Sequence, residues 1–155
     1  MEFSSELLFF FSALGAFNGG LLGLYFLLFA KPKHISNYFL GGLLLAMSIR
    51  IGKSVFFFFN PDLDFGYLQF GLSACVFIGP FLYFYIQSVL DPYGHIGKSW
   101  NYHVGILLPI VLIGGYLYPF ETYVGLWRSY LIDGIYYVWL GYVIYTGYIL
   151  KYVFK

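Results

Sequence analysis

Charged residues are scarce in this sequence, and their scarcity excludes most classes of soluble protein. Asp, Glu, Lys and Arg make up 10% of the 155 residues, whereas about 25% is usual for a soluble domain. So few charges cannot cover a water-facing surface, and the exposed apolar patches would cause aggregation. A soluble enzyme, a nucleic-acid-binding domain and a disordered tail are therefore excluded for these residues.

Cysteine and histidine are also rare, which argues against catalytic and metal chemistry. The single Cys75 allows neither an internal disulfide nor a cysteine zinc site. The histidines are His34, His95 and His103, and no two of them have the spacing of a helical metal site or of an inward-facing haem pair. We therefore expect no enzymatic activity, no metal and no cofactor.

Long apolar runs are what the sequence has instead, since 61% of its residues are hydrophobic. A helix needs about 20 such residues to cross the hydrocarbon core of a bilayer. Runs of suitable length lie at about residues 7–29, 38–59, 67–90, 104–118 and 127–150. They are continuously apolar and do not alternate as the strands of a membrane barrel do. The sequence predicts an all-α fold, a polytopic bundle of about five transmembrane helices forming one domain over residues 1–155.

The few charges predict the orientation of this bundle. Lysines fall on one side if the spans alternate, at Lys31, Lys33, Lys98, Lys151 and Lys155, and acids fall on the other, at Glu2, Glu6, Asp62, Asp64 and Glu121. Lys and Arg in short loops mark the cytoplasmic side. We expect the N-terminus outside and the C-terminus in the cytoplasm of a bacterial inner membrane. Trp100 and Trp127, near helix ends, fit an interfacial aromatic belt.

Charges within the predicted spans are the first candidates for function. Arg50 and Lys53 are three residues apart and share one helix face. Lys53 lies about 9 Å from the outer end of its span, and Asp133 is at a similar depth in the fifth span. Such charges usually pair or line a cavity. We expect Asp133 to pair with Lys53 or Arg50, either to fix helix packing or to form part of a ligand or ion pocket.

Two amides within the spans extend this set. Asn18 lies near the middle of the first span and Gln69 near the outer end of the third. Amides in membrane helices usually form hydrogen bonds between helices. The alternative is an outward-facing polar pocket lined by Asn18, Arg50, Lys53, Gln69 and Asp133.

Glycines in the first span predict a close helix contact. Gly15, Gly19 and Gly23 form two overlapping Gly-x-x-x-Gly units, and this spacing lets helix backbones approach closely. The contact could lie within the bundle or between two chains. An internal contact is favoured because a five-helix bundle offers many internal neighbours.

Several stretches of the chain together resemble a known family. They are FNGGLLGLY at residues 17–25, NYFLGGLLL at 37–45, SIRIGKS at 48–54, GLSAC at 71–75 and IGPFLYFY at 78–85, followed by His103 and Pro109. Over residues 17–109 the chain resembles the N-terminal membrane region of multi-spanning AraC-type transcriptional regulators of the Bacteroidetes type. In that family about seven or eight membrane helices precede a cytoplasmic helix-turn-helix domain.

The resemblance implies a sensor or regulatory module in the membrane. The sequence reaches Lys155 after five predicted spans and has no basic recognition helix, so no DNA contact is expected from these residues. A C-terminal helix-turn-helix domain would be either fused beyond this sequence or missing. The alternative is an accessory subunit of a larger membrane complex, whose partners besides the lipid bilayer would be other membrane subunits.

Overall fold

The computed structural model describes residues 2–90 and 99–153, with side chains from residue 5 onward, and its regular structure in these ranges is entirely helical. The elements are α1 (Glu2–Leu28), α2 (Ile35–Phe59), α3 (Phe65–Leu90), α4 (Ser99–Leu117), a short α5 (Val124–Leu126), a π-helical turn (Trp127–Leu131) and α6 (Ile132–Val153). The expected all-α fold is confirmed. Lys98, Lys155 and the side chain of Glu2, used above for orientation, lie outside the described residues.

Within the described ranges, four helices are long and apolar enough to cross a membrane, namely α1 from Ser5 onward, α2, α3 and α4. This fits a membrane protein. The fifth predicted span corresponds to α6, which is not among the four. Its many tyrosines, together with Asp133 and Lys151, give α6 a lower mean hydropathy than those four helices.

The turn between α2 and α3 is built by polar residues. Asn60 and Pro61 follow the last residue of α2, and the backbone N–H of Asn60 donates to the carbonyl oxygen of Phe56. At the start of α3, Asp64 Oδ1 accepts a 2.6 Å hydrogen bond from the N–H of Gly66. Asp64 therefore caps the free donors at the beginning of α3, in addition to marking one end of the bundle.

Helix α3 is the centre of the described bundle. It packs against α2, α6 and, less extensively, α4, whereas α1 packs against α2. The paired residues show that α1, α2, α3 and α4 alternate in direction: Phe9 meets Phe58, Phe39 meets Phe84, and Gln69 meets Gly115. Helix α6 runs parallel to α3.

Glycines set the closest approaches between helices. A Cβ added at Gly41 of α2 would lie 2.8 Å from the carbonyl oxygen of Gly23 in α1, and one added at Gly79 of α3 would lie 3.2 Å from the backbone of Trp139 in α6. Neither position has room for a side chain. Gly19 also faces α2, at Ser48, whereas Gly15 has open space around it. Thus two of the three glycines of the α1 motif lie at an internal contact.

Aromatic side chains hold the two ends of the bundle. At one end the fully buried Phe84 stacks on Phe39, with ring centroids 5.5 Å apart, and meets His103 edge-on. At the other end Phe120 and Trp127 pack with Leu72. Trp127 is only 4% exposed, so its indole packs inside the bundle and does not face lipid. Its indole lies beneath the α4–α5 connection and donates to the carbonyl oxygen of Tyr118.

Candidate functional site

Arg50 lies in a small cavity where four helices meet. The cavity has a volume of about 310 Å³ and receives side chains from α1, α2, α3 and α6. They are Phe9, Ser12, Arg50, Ile51, Ser54, Val55, Cys75, Ile78, Tyr136 and Trp139. Most of this wall is apolar, and the polar groups are the guanidinium, the hydroxyls of two serines and a tyrosine, and one thiol.

Hydroxyl groups are the observed partners of Arg50. Its Nη1 donates to Ser54 Oγ and its Nη2 to Tyr136 Oη, both at 2.9 Å. Ser54 follows Arg50 by one turn of α2, whereas Tyr136 reaches it from α6. The contact between α2 and α6 that the sequence assigned to an acid is thus made by a phenol, one turn after Asp133.

Lys53 and Asp133 lie outside this cavity. The aliphatic stem of Lys53 runs along α3 at Gly71, where an added Cβ would come within 2.6 Å of Lys53 Cβ. Asp133 is exposed in the first turn of α6. Among the described residues, neither Lys53 nor Arg50 forms an ion pair with Asp133. The two cations of α2 therefore have no acidic partner in this part of the chain.

Gln69 bridges two segments that follow it by more than 40 residues. Its Nε2 donates to the carbonyl oxygen of Gly115, and its Oε1 accepts from the N–H of Phe120, each at 2.8 Å. One side chain thus satisfies a carbonyl near the end of α4 and an amide in the following loop, both of which lack helical partners. The position of Gln69 is that of a packing amide.

Asn18 faces outward from α1. It is exposed, and it has no hydrogen-bond partner among the described residues. The five polar candidates therefore do not share one pocket. Arg50 lines the small cavity, Gln69 bridges the end of α4, Lys53 packs on α3, and Asn18 and Asp133 lie on outer faces.

A larger apolar groove, which the sequence did not indicate, lies between α2, α3 and α4. Its volume is about 1240 Å³. The ring contact of Phe39 with Trp100 bounds one end, and the Gln69–Gly115 hydrogen bond bounds the other. The groove exists because α4 leans on α3 without packing on α2, so that none of the described α4 residues is buried. Lys33 is the only charged residue in its described lining.

The described residues contain no group of three or more His, Cys, Asp or Glu side chains that could hold a metal ion. Comparisons with family models, with curated proteins and with solved structures found no match to the chain. Its function must therefore be inferred from its own geometry.

Proposed function

We propose that this chain is a multi-pass sensor module of a bacterial inner membrane and that its signal is a small carboxylate bound beside Arg50. The observation that carries the proposal is the environment of the guanidinium. It lies in a cavity at the junction of four helices, and its partners there are two hydroxyls and the thiol of Cys75, with no acid among them.

The chemistry of the guanidinium defines the ligand. An Arg side chain has five N–H donors, and Ser54 and Tyr136 take two of them. A charge within the membrane is costly unless an opposite charge compensates it. A carboxylate fits because it can accept two parallel N–H bonds from one guanidinium. Tyr136, whose oxygen accepts from Arg50, keeps its own O–H to donate.

The remaining wall defines the body of the ligand. Phe9, Ile78 and Trp139 give the cavity an apolar lining. Its volume is near the lower end of the range for small-molecule sites, about 300–1,000 Å³. We therefore infer a monocarboxylate with a compact apolar body.

The location of the cavity offers a means of signalling. A ligand held by Arg50 of α2 and Tyr136 of α6 would favour the helix arrangement in which both groups are in reach. The ligand shifts the equilibrium between this arrangement and one in which the two groups are farther apart only if it binds the first arrangement more tightly. Helix α6 leads toward the C-terminus, the side on which the resemblance to AraC-type regulators places a DNA-binding domain.

The test is binding of straight-chain carboxylates of four to ten carbons to the chain in lipid nanodiscs, with the matching neutral amides as controls. We expect saturable binding of at least one acid and at least tenfold weaker binding of its amide. Arg50→Gln should weaken binding of the acid at least tenfold. Arg50→Lys should retain only part of the affinity, because an ammonium lacks the forked donor geometry of a guanidinium. Lys31→Gln, an exposed lysine that lines neither this cavity nor the larger groove, should change nothing. If no acid in the series shows binding that depends on Arg50, the carboxylate site is rejected.

A second candidate function is supported by the larger groove. An accessory subunit would place a partner's membrane helix between α2 and α4, where the described lining is almost wholly apolar. A photo-crosslinking residue at Leu112, which lines the groove, should then capture a membrane protein in native membranes. The same residue at the neighbouring Ile113, which is exposed outside the groove, should not. Equal capture at both positions would count against the subunit function.

A further inference from the structure

The outer face of α1 carries a regular stripe of exposed residues. The stripe is Phe11, Gly15, Asn18, Leu22 and Tyr25, all exposed, and their spacing alternates between four and three residues. This alternation keeps one seam of a helix in contact with a neighbouring helix over several turns. No described helix covers the stripe, because α1 packs on α2 along an adjacent part of its surface, at Gly19 and Gly23.

Asn18 places a side-chain amide without a hydrogen-bond partner on this face. It lies ten residues before the end of α1 at Leu28, or about 15 Å along the axis. That distance is half of a hydrocarbon core of about 30 Å, so the amide lies near the middle of the membrane. The N–H and C=O groups of its side-chain amide have no partner in the described part of the chain. Lipid tails can neither donate nor accept a hydrogen bond, so the amide must find its partner in another protein helix.

We propose that the stripe is the interface of a homodimer in which Asn18 of one protomer hydrogen-bonds Asn18 of the other. An amide both donates and accepts, so it is complementary to a second copy of itself. Two copies inserted in the same orientation hold Asn18 at the same depth, where a two-fold axis along the membrane normal brings them together. Gly15, which has open space around it, lets the two backbones approach one turn away. A different partner would need its own polar residue at that depth.

Cysteine cross-linking of the full chain in lipid vesicles tests the interface. Leu22→Cys on the stripe should give a disulfide-linked dimer on oxidation. The matched control is Leu24→Cys, which is similarly exposed but lies off the stripe. The unaltered chain gives the background, since its native Cys75 is buried. Equal cross-linking at positions 22 and 24 would overturn the proposed face. Cross-linking of Leu22→Cys in native membranes to another protein, and not to its own copy, would overturn the second copy as partner.

The role of Asn18 is tested by energy transfer between labelled copies as the chain is diluted in lipid. Asn18→Leu should weaken dimerisation about eightfold, if two amide hydrogen bonds of average strength for membrane helices are lost. Asn18→Gln keeps the amide and should retain most of the affinity. Because Leu suits a membrane helix at least as well as Asn, insertion is not at risk. An unchanged dimer in Asn18→Leu would reject the amide pair.

Discussion

Long polar side chains in the apolar helices of this protein are satisfied in different ways. Gln69 has backbone groups for both of its functional atoms, whereas Arg50 has hydroxyl oxygens for two of its five donors. Gln87 Oε1 is buried without a partner among the described residues. These differences let stability measurements separate amides that hold the fold from amides that do not.

At Gln69, replacement by Met should lower the free energy of unfolding by about 1–3 kcal/mol, because two backbone groups lose their partner. The matched substitution Gln87→Met removes a side-chain oxygen that has no hydrogen-bond partner among the described residues. It should therefore lower the free energy of unfolding by less, or raise it. Unfolding of the purified protein in mixed micelles measures both. Equal losses at the two positions would contradict the bridging role of Gln69.

The hydrogen bond between Arg50 and Tyr136 is accessible to a double-mutant cycle. Tyr136→Phe should cost about 0.6 kcal/mol, and at most about 1.7, the range measured for hydrogen bonds between membrane helices. In an Arg50→Met background the same substitution should cost nothing. Tyr137→Phe is the control, since its side chain is exposed on the neighbouring position of α6. A coupling energy of zero would show that the bond contributes nothing to stability.

At the scale of elements, α3 owes its central position to glycine. Gly71 admits the stem of Lys53 from α2, and Gly79 admits the backbone of α6. Small residues of this kind let membrane helices pack by van der Waals contact, since lipid leaves no hydrophobic drive between them. The spacing of α3 from its two main neighbours therefore depends on positions without a side chain.

Gly79→Ala should destabilise the protein by about 1–3 kcal/mol, the usual cost of overpacking. The new Cβ would lie 2.8 Å from Tyr142 Cβ and 3.2 Å from the backbone of Trp139, which cannot move aside freely. Gly141→Ala in α6, where nothing lies within 4 Å, should leave stability unchanged or raise it, because Ala favours the helix. A thermal unfolding series compares the two, and equal effects would argue against a close α3–α6 contact.

The existence of the helices could be predicted from the sequence, but their pairing could not. Long apolar runs interrupted at Lys31-Pro32 and Asn60-Pro61 were sufficient to place α1, α2 and α3 to within a few residues. A helix that is apolar on every side has no distinct face in its sequence from which its packing partner could be predicted. The partner of Arg50 was missed for the same reason, since Tyr136 is one of many tyrosines in α6. The groove beside α4 exists because α4 does not pack on α2. No local sequence pattern predicts that two helices will fail to pack together.

At the scale of the whole molecule, the alternating helices place the lysines and the acids of the described loops at opposite ends. Lys31 and Lys33 lie between α1 and α2, whereas Asp62 and Asp64 lie between α2 and α3. The ends of the bundle therefore differ in charge, and this difference underlies the proposed orientation.

Reporter fusions test that orientation in bacterial cells. Alkaline phosphatase fused after Lys155 should be inactive, because the enzyme folds only outside the cytoplasm, and a fluorescent protein fused there should fluoresce. Phosphatase fused after Asp62 in a truncated chain should be active. A strongly active phosphatase after Lys155 would reverse the proposed orientation.

The order in which the helices pack has a consequence for biosynthesis. Helices α1, α2 and α3 each pack on the next, so this part of the bundle can form before α6 enters the membrane. The main remaining partner of α3 is α6, which is made about 40 residues after α3 ends. Until then the side of α3 around Gly79 faces lipid or the insertion machinery. The described bundle is therefore completed only when α6 is inserted, and until then α3 exposes a helix-packing face that a glycine keeps open.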